Sequence, residues 1–318
     1  MAGTEYTASD VLNPGQLRAL ATHGAQEHSE GTHHNLRGGL AMATNADRTN
    51  RANQLNGGPQ EGDESRPAGA LQGKTALIYG AGGPIGGAVA RTFAAEGATV
   101  YLAGRTQSRL DKVARDIGEA GGTAHTAVVD ALDETQVDAF VDGVAKKAKR
   151  IDITFNLISY GDVQQPLMEI AADDFAQPIS NAVRTHFLTT RAAARHMIRQ
   201  RSGVVLMFGG SGPQTLPGLG GFKVALDAME GLRRQWATEL GKDGVRVVTM
   251  VTGGIIETLP WQMEGREEVV REIAAAAHLN RTATLEDVGN VAAWIASDRA
   301  GAITDATVNL SSGAIVDY

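Results

Sequence analysis

Five glycines stand among the nine residues Tyr79-Gly80-Ala81-Gly82-Gly83-Pro84-Ile85-Gly86-Gly87, and such a stretch is suited to holding an anion. Glycine lets the backbone come close to a ligand, so that bare amide groups face a phosphate. Before it, Thr75 to Tyr79 is an apolar, β-branched run that reads as a buried strand. After it, Ala88 to Gly97 reads as a helix closed by a glycine. A strand, a glycine turn and the first amides and dipole of a helix make a cradle for pyrophosphate. Gly80, Gly82, Gly83, Pro84, Ile85 and Gly86 are its candidate contacts. A second strand ends in Tyr101-Leu102-Ala103-Gly104-Arg105-Thr106, roughly twenty residues on, where such a cradle meets the ribose of an adenosine. An acid there would accept from a 2′-OH. Arg105 would instead pair with a 2′-phosphate, which favours NADP(H) over NAD(H); its plainer role is that of a solvated surface arginine. Asp130, followed by Ala131, is placed to accept from an adenine amino group or to cap a helix. The amide of Asn156 can brace neighbouring strand backbone.

The elements that must position these groups follow in alternation. Strands are expected at Thr75–Tyr79, Thr99–Ala103, Thr123–Val129, Ile151–Leu157, Val204–Phe208, Val245–Val251 and Thr307–Leu310. Helices are expected at Gln107–Ala120, Glu134–Lys149, Ala172–Gln200, Leu219–Gly241, Glu264–Ala277 and Leu285–Ala296. That order predicts an α/β fold: a Rossmann-type, doubly wound parallel sheet of about seven strands with helices on both faces. Ligands of such sheets lie beyond the carboxyl ends of the strands, at the switch point.

Composition narrows the function. The chain has 318 residues, a net charge of −7 and no cysteine. A nucleic-acid partner would want a basic face, and disulfides and thiolate zinc sites are excluded. The start of the sequence has no basic segment followed by an apolar core, and no apolar run approaches the ~18 residues a spanning helix needs. The expectation is a soluble, cytoplasmic protein acting on a small molecule. Residues 1–70 are poor in large apolar side chains and read as a flexible extension, with one short helix at Val11–Ala21. His28, Glu30, His33 and His34 within it read as a solvated tail rather than a metal site, so no metal is expected. Residues 71–318 read as one domain.

From about Leu71 onward the chain resembles the short-chain dehydrogenase/reductase family. Gly80-Ala81-Gly82-Gly83-Pro84-Ile85-Gly86 is similar to that family's TGxxxGIG turn, and Arg105 and Asp130 match its NADP-selecting and adenine positions. Ile151-Asp152-Ile153-Thr154-Phe155-Asn156 resembles the start of its D-x-L-V-N-N-A-G segment. Lys223-Val224-Ala225-Leu226 resembles the K-A-A-L carrying its catalytic lysine. Gly253-Gly254-Ile255-Ile256-Glu257-Thr258 resembles its P-G-x-I-x-T loop, and Arg281 to Val288 its R-x-x-x-P-E-D-V. The resemblance implies NADP(H)-dependent hydride transfer between a carbonyl and an alcohol, of the 3-oxoacyl-carrier-protein-reductase kind. It also implies cofactor contacts from Lys223, Gly254, Ile256 and Thr258, a lid around residues 255–280, and a homodimer or homotetramer built through the long helices.

Departures from the family pattern fall on the acid chemistry. The family's tyrosine, four residues before the lysine, is Leu219 here, and its serine position meets Gly209-Gly210 with Ser211 slightly late. Its assisting asparagine falls at Ala182, with Asn181 one step away. Reducing a carbonyl makes an alkoxide that needs a positioned proton donor. Of the five tyrosines only Tyr160, just after the fourth strand, is free of tail, terminus and strand, so Tyr160, or Ser211 with Lys223, is the candidate donor. The competing and favoured reading is that Tyr160 only lines the pocket. Arg184 and His186 could reach the pocket but are expected at a surface or subunit contact, Asp152 in a turn, and Trp261 and Met263 in the lid or in simple packing. Two further functions stay open: a dinucleotide-binding protein without turnover, and a reductase of C=C or C=N bonds or an isomerase that needs no tyrosine.

Overall fold

The structure is a computed structural model that describes residues 69–209, 215, 217–263 and 265–315. The expected extension, its short helix and its histidines, and Ser211, therefore lie outside the described residues. Seven parallel strands form one sheet: β1 (Thr75–Tyr79), β2 (Thr99–Gly104), β3 (Thr123–Val128), β4 (Ile153–Asn156), β5 (Gly203–Phe208), β6 (Val245–Val251) and β7 (Ala306–Asn309). Their order is β3-β2-β1-β4-β5-β6-β7. The chain builds outward from β1 in one direction and then returns to build from its other edge. The gap between β1 and β4 is thus the switch point.

Between the strands run α1 (Pro84–Ala95), α2 (Gln107–Glu119), α3 (Glu134–Ala148), α4 (Ala172–Gln200), α5 (Phe222–Leu240), α6 (Arg266–Ala276) and α7 (Leu285–Ala296). All five residues of β1 are buried, and their alternation divides them between two cores. Ala76 and Ile78 pack with α1, α2 and α7 on one face, while Leu77 and Tyr79 pack with α3, α4 and α5 on the other. Fully buried side chains such as Phe93 contribute about 1.5–3 kcal/mol each.

Local chemistry sets the helix starts. Pro84 occupies the first turn of α1, where its missing N–H costs nothing. Asp133 caps α3 by accepting from the Gln136 amide, and Thr284 and Asp287 form a reciprocal capping box on α7. On the outer surface, Glu134 and Asp138 of α3 pair with Arg191 and Arg195 of α4, and Asp142 bonds His196, all at helical spacing.

Most boundaries fall within one or two residues of expectation, and three of the differences bear on the site. α1 begins at Pro84 rather than Ala88, because Gly86 and Gly87 belong to the helix and not to the turn. β4 runs only from Ile153 to Asn156, although the Asp152 backbone still bonds Thr75 of β1 and Val204 of β5. Asp152 is no exposed turn residue: it is buried, accepts from the Thr75 amide at 2.8 Å and is clasped by Arg150. α5 begins at Phe222, three residues later than expected, for a reason that belongs to the site. No helix among the described residues is long and apolar enough to cross a membrane.

Candidate active site

The glycine turn is shaped by contacts that forbid side chains. Gly80 has φ +73°, and a Cβ there would lie 2.3 Å from the Leu157 carbonyl oxygen. A Cβ on Gly86 would lie 2.3 Å from the carbonyl oxygen of Gly80, so α1 rests directly on the end of β1. The turn is closed by Gly83 N–H donating to Gly80 at 3.0 Å, and the first helical bond runs from Gly87 N–H to Gly83. The amides of Ile85 and Gly86 precede that bond and have no acceptor within the helix. A bare backbone, free first-turn amides and a helix dipole fit a pyrophosphate.

On the adenosine side, Arg105 follows β2 and is exposed. Asp130 does not cap a helix, since that place belongs to Asp133. Its Oδ1 accepts from the Leu132 amide at 3.0 Å and fixes the turn after β3, while Ala131 is buried against α3. Asn156 ends β4 as a brace: its Nδ2 donates to Thr189 of α4 at 3.2 Å and its Oδ1 accepts from the Ile158 amide at 3.0 Å. The strut therefore runs to a helix and to its own turn rather than to a neighbouring strand.

The half of the cleft facing β4, β5 and α5 is built differently. Tyr160 is buried, and its hydroxyl lies 3.1 Å from the Phe208 carbonyl oxygen, 2.7 Å from Met229 Sδ and 3.5 Å from His186 Nε2. Donation to the carbonyl leaves the phenolic oxygen to accept, which suits the tautomer of His186 protonated on Nε2. His186 Nδ1 is buried without a partner among the described residues, and burial pushes the imidazole down to about 3. Burial likewise raises the Tyr160 phenol far above its ordinary value, with Asp162 adding to the shift. His186 is thus an interior group, not the surface histidine expected. Its neighbour Arg184 does face outward and donates to the Leu132 carbonyl.

Gly209, which ends this wall, has φ +98°, and a Cβ there would lie 3.3 Å from Leu226 Cδ2 and at ordinary contact distance from the Tyr160 hydroxyl. Asn181 holds the backbone of Tyr160 from the other side, donating to its carbonyl at 2.9 Å. Across the same cluster, Ala182, Ala225, Leu226 and Met229 pack around the ring. The late start of α5 follows from Gly220, whose φ of +56° is not helical, where the chain lies close against the segment after β4 and the first turn of α4. A Cβ on Gly220 would meet the Val163 carbonyl oxygen at 2.6 Å, and one on Gly221 the Phe175 carbonyl oxygen at 2.0 Å. Lys223, in the first turn of α5, is mostly buried and bonds Asp227 at 2.7 Å.

At the far wall, Gly254 has φ +114°, Ile256 opens a short 3-10 turn, and buried Thr258 donates to the Ile255 carbonyl at 2.7 Å. Met263 packs with Leu259, Val269 and Ile273, whereas Trp261 is 79% exposed with the Arg266 guanidinium 4.3 Å above its ring. Cavities of about 330 and 360 Å³ lie elsewhere, one between the outer faces of α4 and α5 and one at the amino ends of the strands. None of the candidate residues lines either.

A doubly wound parallel sheet with a glycine cradle at its switch point defines the class of protein, and comparison with known proteins gives the family. Residues 80–314, well over half of the chain, match the family model described as enoyl-(acyl carrier protein) reductase. A 3-oxoacyl-(acyl-carrier-protein) reductase of Thermotoga maritima is 29% identical over 77% of this chain and 99% of its own length. The meso-2,3-butanediol dehydrogenase of Serratia marcescens is 30% identical over 76% and 94%. The crystal structure of levodione reductase superposes with a TM-score of 0.71 at 26% identity, over 76% of this chain and 98% of that one. The chain belongs to the short-chain dehydrogenase/reductase family, and these relatives are oxidoreductases by name.

Reading the sequence did not single out Arg109 beside Gly82 or Asp227 on Lys223, and it named His186 without pairing it to Tyr160. Of these only Asp227 had a direct local signal, the four-residue spacing of opposite charges on one helix.

Proposed function

We propose that this protein is an NADP(H)-dependent oxidoreductase that interconverts a carbonyl and an alcohol on a small molecule, akin to the 3-oxoacyl-carrier-protein reductases. The observation that carries the reading is the cradle, where Gly80 and Gly86 leave no room for a Cβ and the first-turn amides of Ile85 and Gly86 have no acceptor within α1. Gly80, Gly82, Gly83, Pro84, Ile85 and Gly86 would hold the pyrophosphate, Arg105 the 2′-phosphate, and Asp130 with Ala131 the adenine side. Lys223, Gly254, Ile256 and Thr258 would line the nicotinamide side, with Asn156 keeping the end of β4 in place. The bound cofactor supplies or takes the hydride. The chain must orient the carbonyl and handle one proton.

Two hydroxyls are candidates for that proton, Ser211 with Lys223 and Tyr160. The inward bond of Tyr160 to the Phe208 carbonyl supports a wall-forming role for it and leaves Ser211 with Lys223 as the proton route. In this reading residues 71–318 act as one domain carrying a lid at 255–280, in a cytoplasmic homodimer or homotetramer, with residues 1–70 as an extension. A second reading, reduction of a C=C bond, draws support from the description of the matching family model and from Leu219 at the place of the family's tyrosine.

Titration of the full chain with NADPH and NADH tests the cofactor assignment. Saturable binding with tighter NADPH is expected. Arg105→Asp should weaken NADPH by about tenfold or more while sparing NADH, since it replaces a charge-assisted pair by repulsion. An unchanged preference in that variant would remove Arg105 from the site. Oxidation of NADPH by ketones but not by enones would favour the first reading, and the reverse the second.

A further inference from the structure

The glycine turn from Gly80 to Gly87 contains no charged residue, so any cation near an anion held there must come from a neighbouring element. One is built in. A Cβ placed on Gly82 would lie 2.9 Å from the Cβ of Arg109, so the first turn of α2 rests on the turn at that glycine. Arg109 stands four residues after Arg105, and the Arg109 amide donates to Thr106 at 3.2 Å as α2 begins. Both arginines are exposed, and among the described residues neither guanidinium has a hydrogen-bond or ion-pair partner. The nearest carboxylate along the helix, Asp111, is engaged on the β3 side by Gln107 at 2.6 Å, with Thr126 Oγ1 at 3.4 Å. Two uncommitted arginines thus stand near the end of β2, one in the loop after the strand and one in the first turn of α2 where it meets Gly82.

We propose that Arg109 is a second cation of the 2′-phosphate site, closing it from the helix while Arg105 closes it from the strand. The preference for a 2′-phosphorylated adenosine is then shared between two residues. Gly82 serves this purpose as well as the turn, because any side chain there would force Arg109 away. The inference rests on the cofactor reading given above and adds the residue that completes its selectivity. A guanidinium suits the task because its planar fork can bond two phosphate oxygens at once, which a lysine at the same place cannot.

Calorimetric titration of the full chain with adenosine 2′,5′-bisphosphate and with 5′-AMP, which differ only in the 2′-phosphate, needs no turnover. The wild-type chain should favour the bisphosphate. Arg109→Ala should weaken the bisphosphate by about tenfold and 5′-AMP by less than about twofold, with Arg109→Lys falling between. An unchanged ratio in Arg109→Ala, with Arg105→Ala reducing it, would overturn the role of Arg109 and leave the cofactor reading standing. Equal weakening of both ligands would assign Arg109 to the 5′-phosphate side and also overturn the proposal. A wild-type chain with no preference for the bisphosphate would sink the NADP(H) reading itself, and this inference with it.

Discussion

The two halves of the cleft are made by opposite means. On the adenosine side the working surface is backbone, with glycines at which a Cβ would collide and amides at the start of α1. On the side of β4, β5 and α5 it is filled by side chains, with Tyr160 sealed against Phe208, Met229 and His186 and its loop lying on the bare chain at Gly220–Gly221. The first half follows a pattern found wherever a phosphate meets a helix start. The second half is held by side chains that meet from α4, α5 and the loop after β4.

Substitutions can break that contrast. Gly86→Ala should have the largest effect, because its Cβ would fall 2.3 Å from a backbone oxygen that cannot move without β1. NADPH binding should fall by about 100-fold or more, with about 1–3 kcal/mol lost from unfolding free energy. Gly221→Ala should cost stability on the same scale, about 1–3 kcal/mol by denaturant titration, yet leave NADPH affinity within about twofold. Loss of NADPH affinity there would show that the halves are not independent. Gly143→Ala, on the open surface of α3 with nothing within 4 Å, is the control and should stabilise by about 0.5–1 kcal/mol.

Acid should act on the second half. His186 is neutral when folded, its pKa held down to about 3 against 6.5 for the free side chain. Between those values the unfolded chain binds a proton that the folded chain does not, so stability falls as pH drops through that window. The slope should be about 1 kcal/mol per pH unit, and His186→Gln should flatten it. An acid limb unchanged in that variant would assign the sensitivity to other groups. Tyr160→Phe is the mildest test. It should cost about 1 kcal/mol for the hydrogen bond to Phe208 and leave turnover intact, whereas loss of turnover would return Tyr160 to the proton route.

Much of the fold was legible because its signals are local. Thr75–Tyr79, Val245–Val251, Ala172–Gln200 and Leu285–Ala296 have the expected bounds, since apolar runs, helical spacing and the capping residues at Thr284–Asp287 mark them. The start of α1 was hidden because Gly86 and Gly87 look like turn residues, and only the contact of α1 with the end of β1 explains them as helical. Arg105, Asp130 and Asn156 could be placed from strand ends alone. Arg109 against Gly82, His186 in the interior and the loop over Gly220–Gly221 are meetings of distant segments, to which spacing along the chain is blind.

The close contacts at Gly220 and Gly221 limit what can be grafted beside them. Placing a phenol at position 219 is a single substitution, but the neighbouring stretch is pinned beneath the carbonyls of Val163 and Phe175. Any side chain larger than hydrogen at 220 or 221 would require the facing carbonyl, of Val163 or Phe175 respectively, to be moved as well.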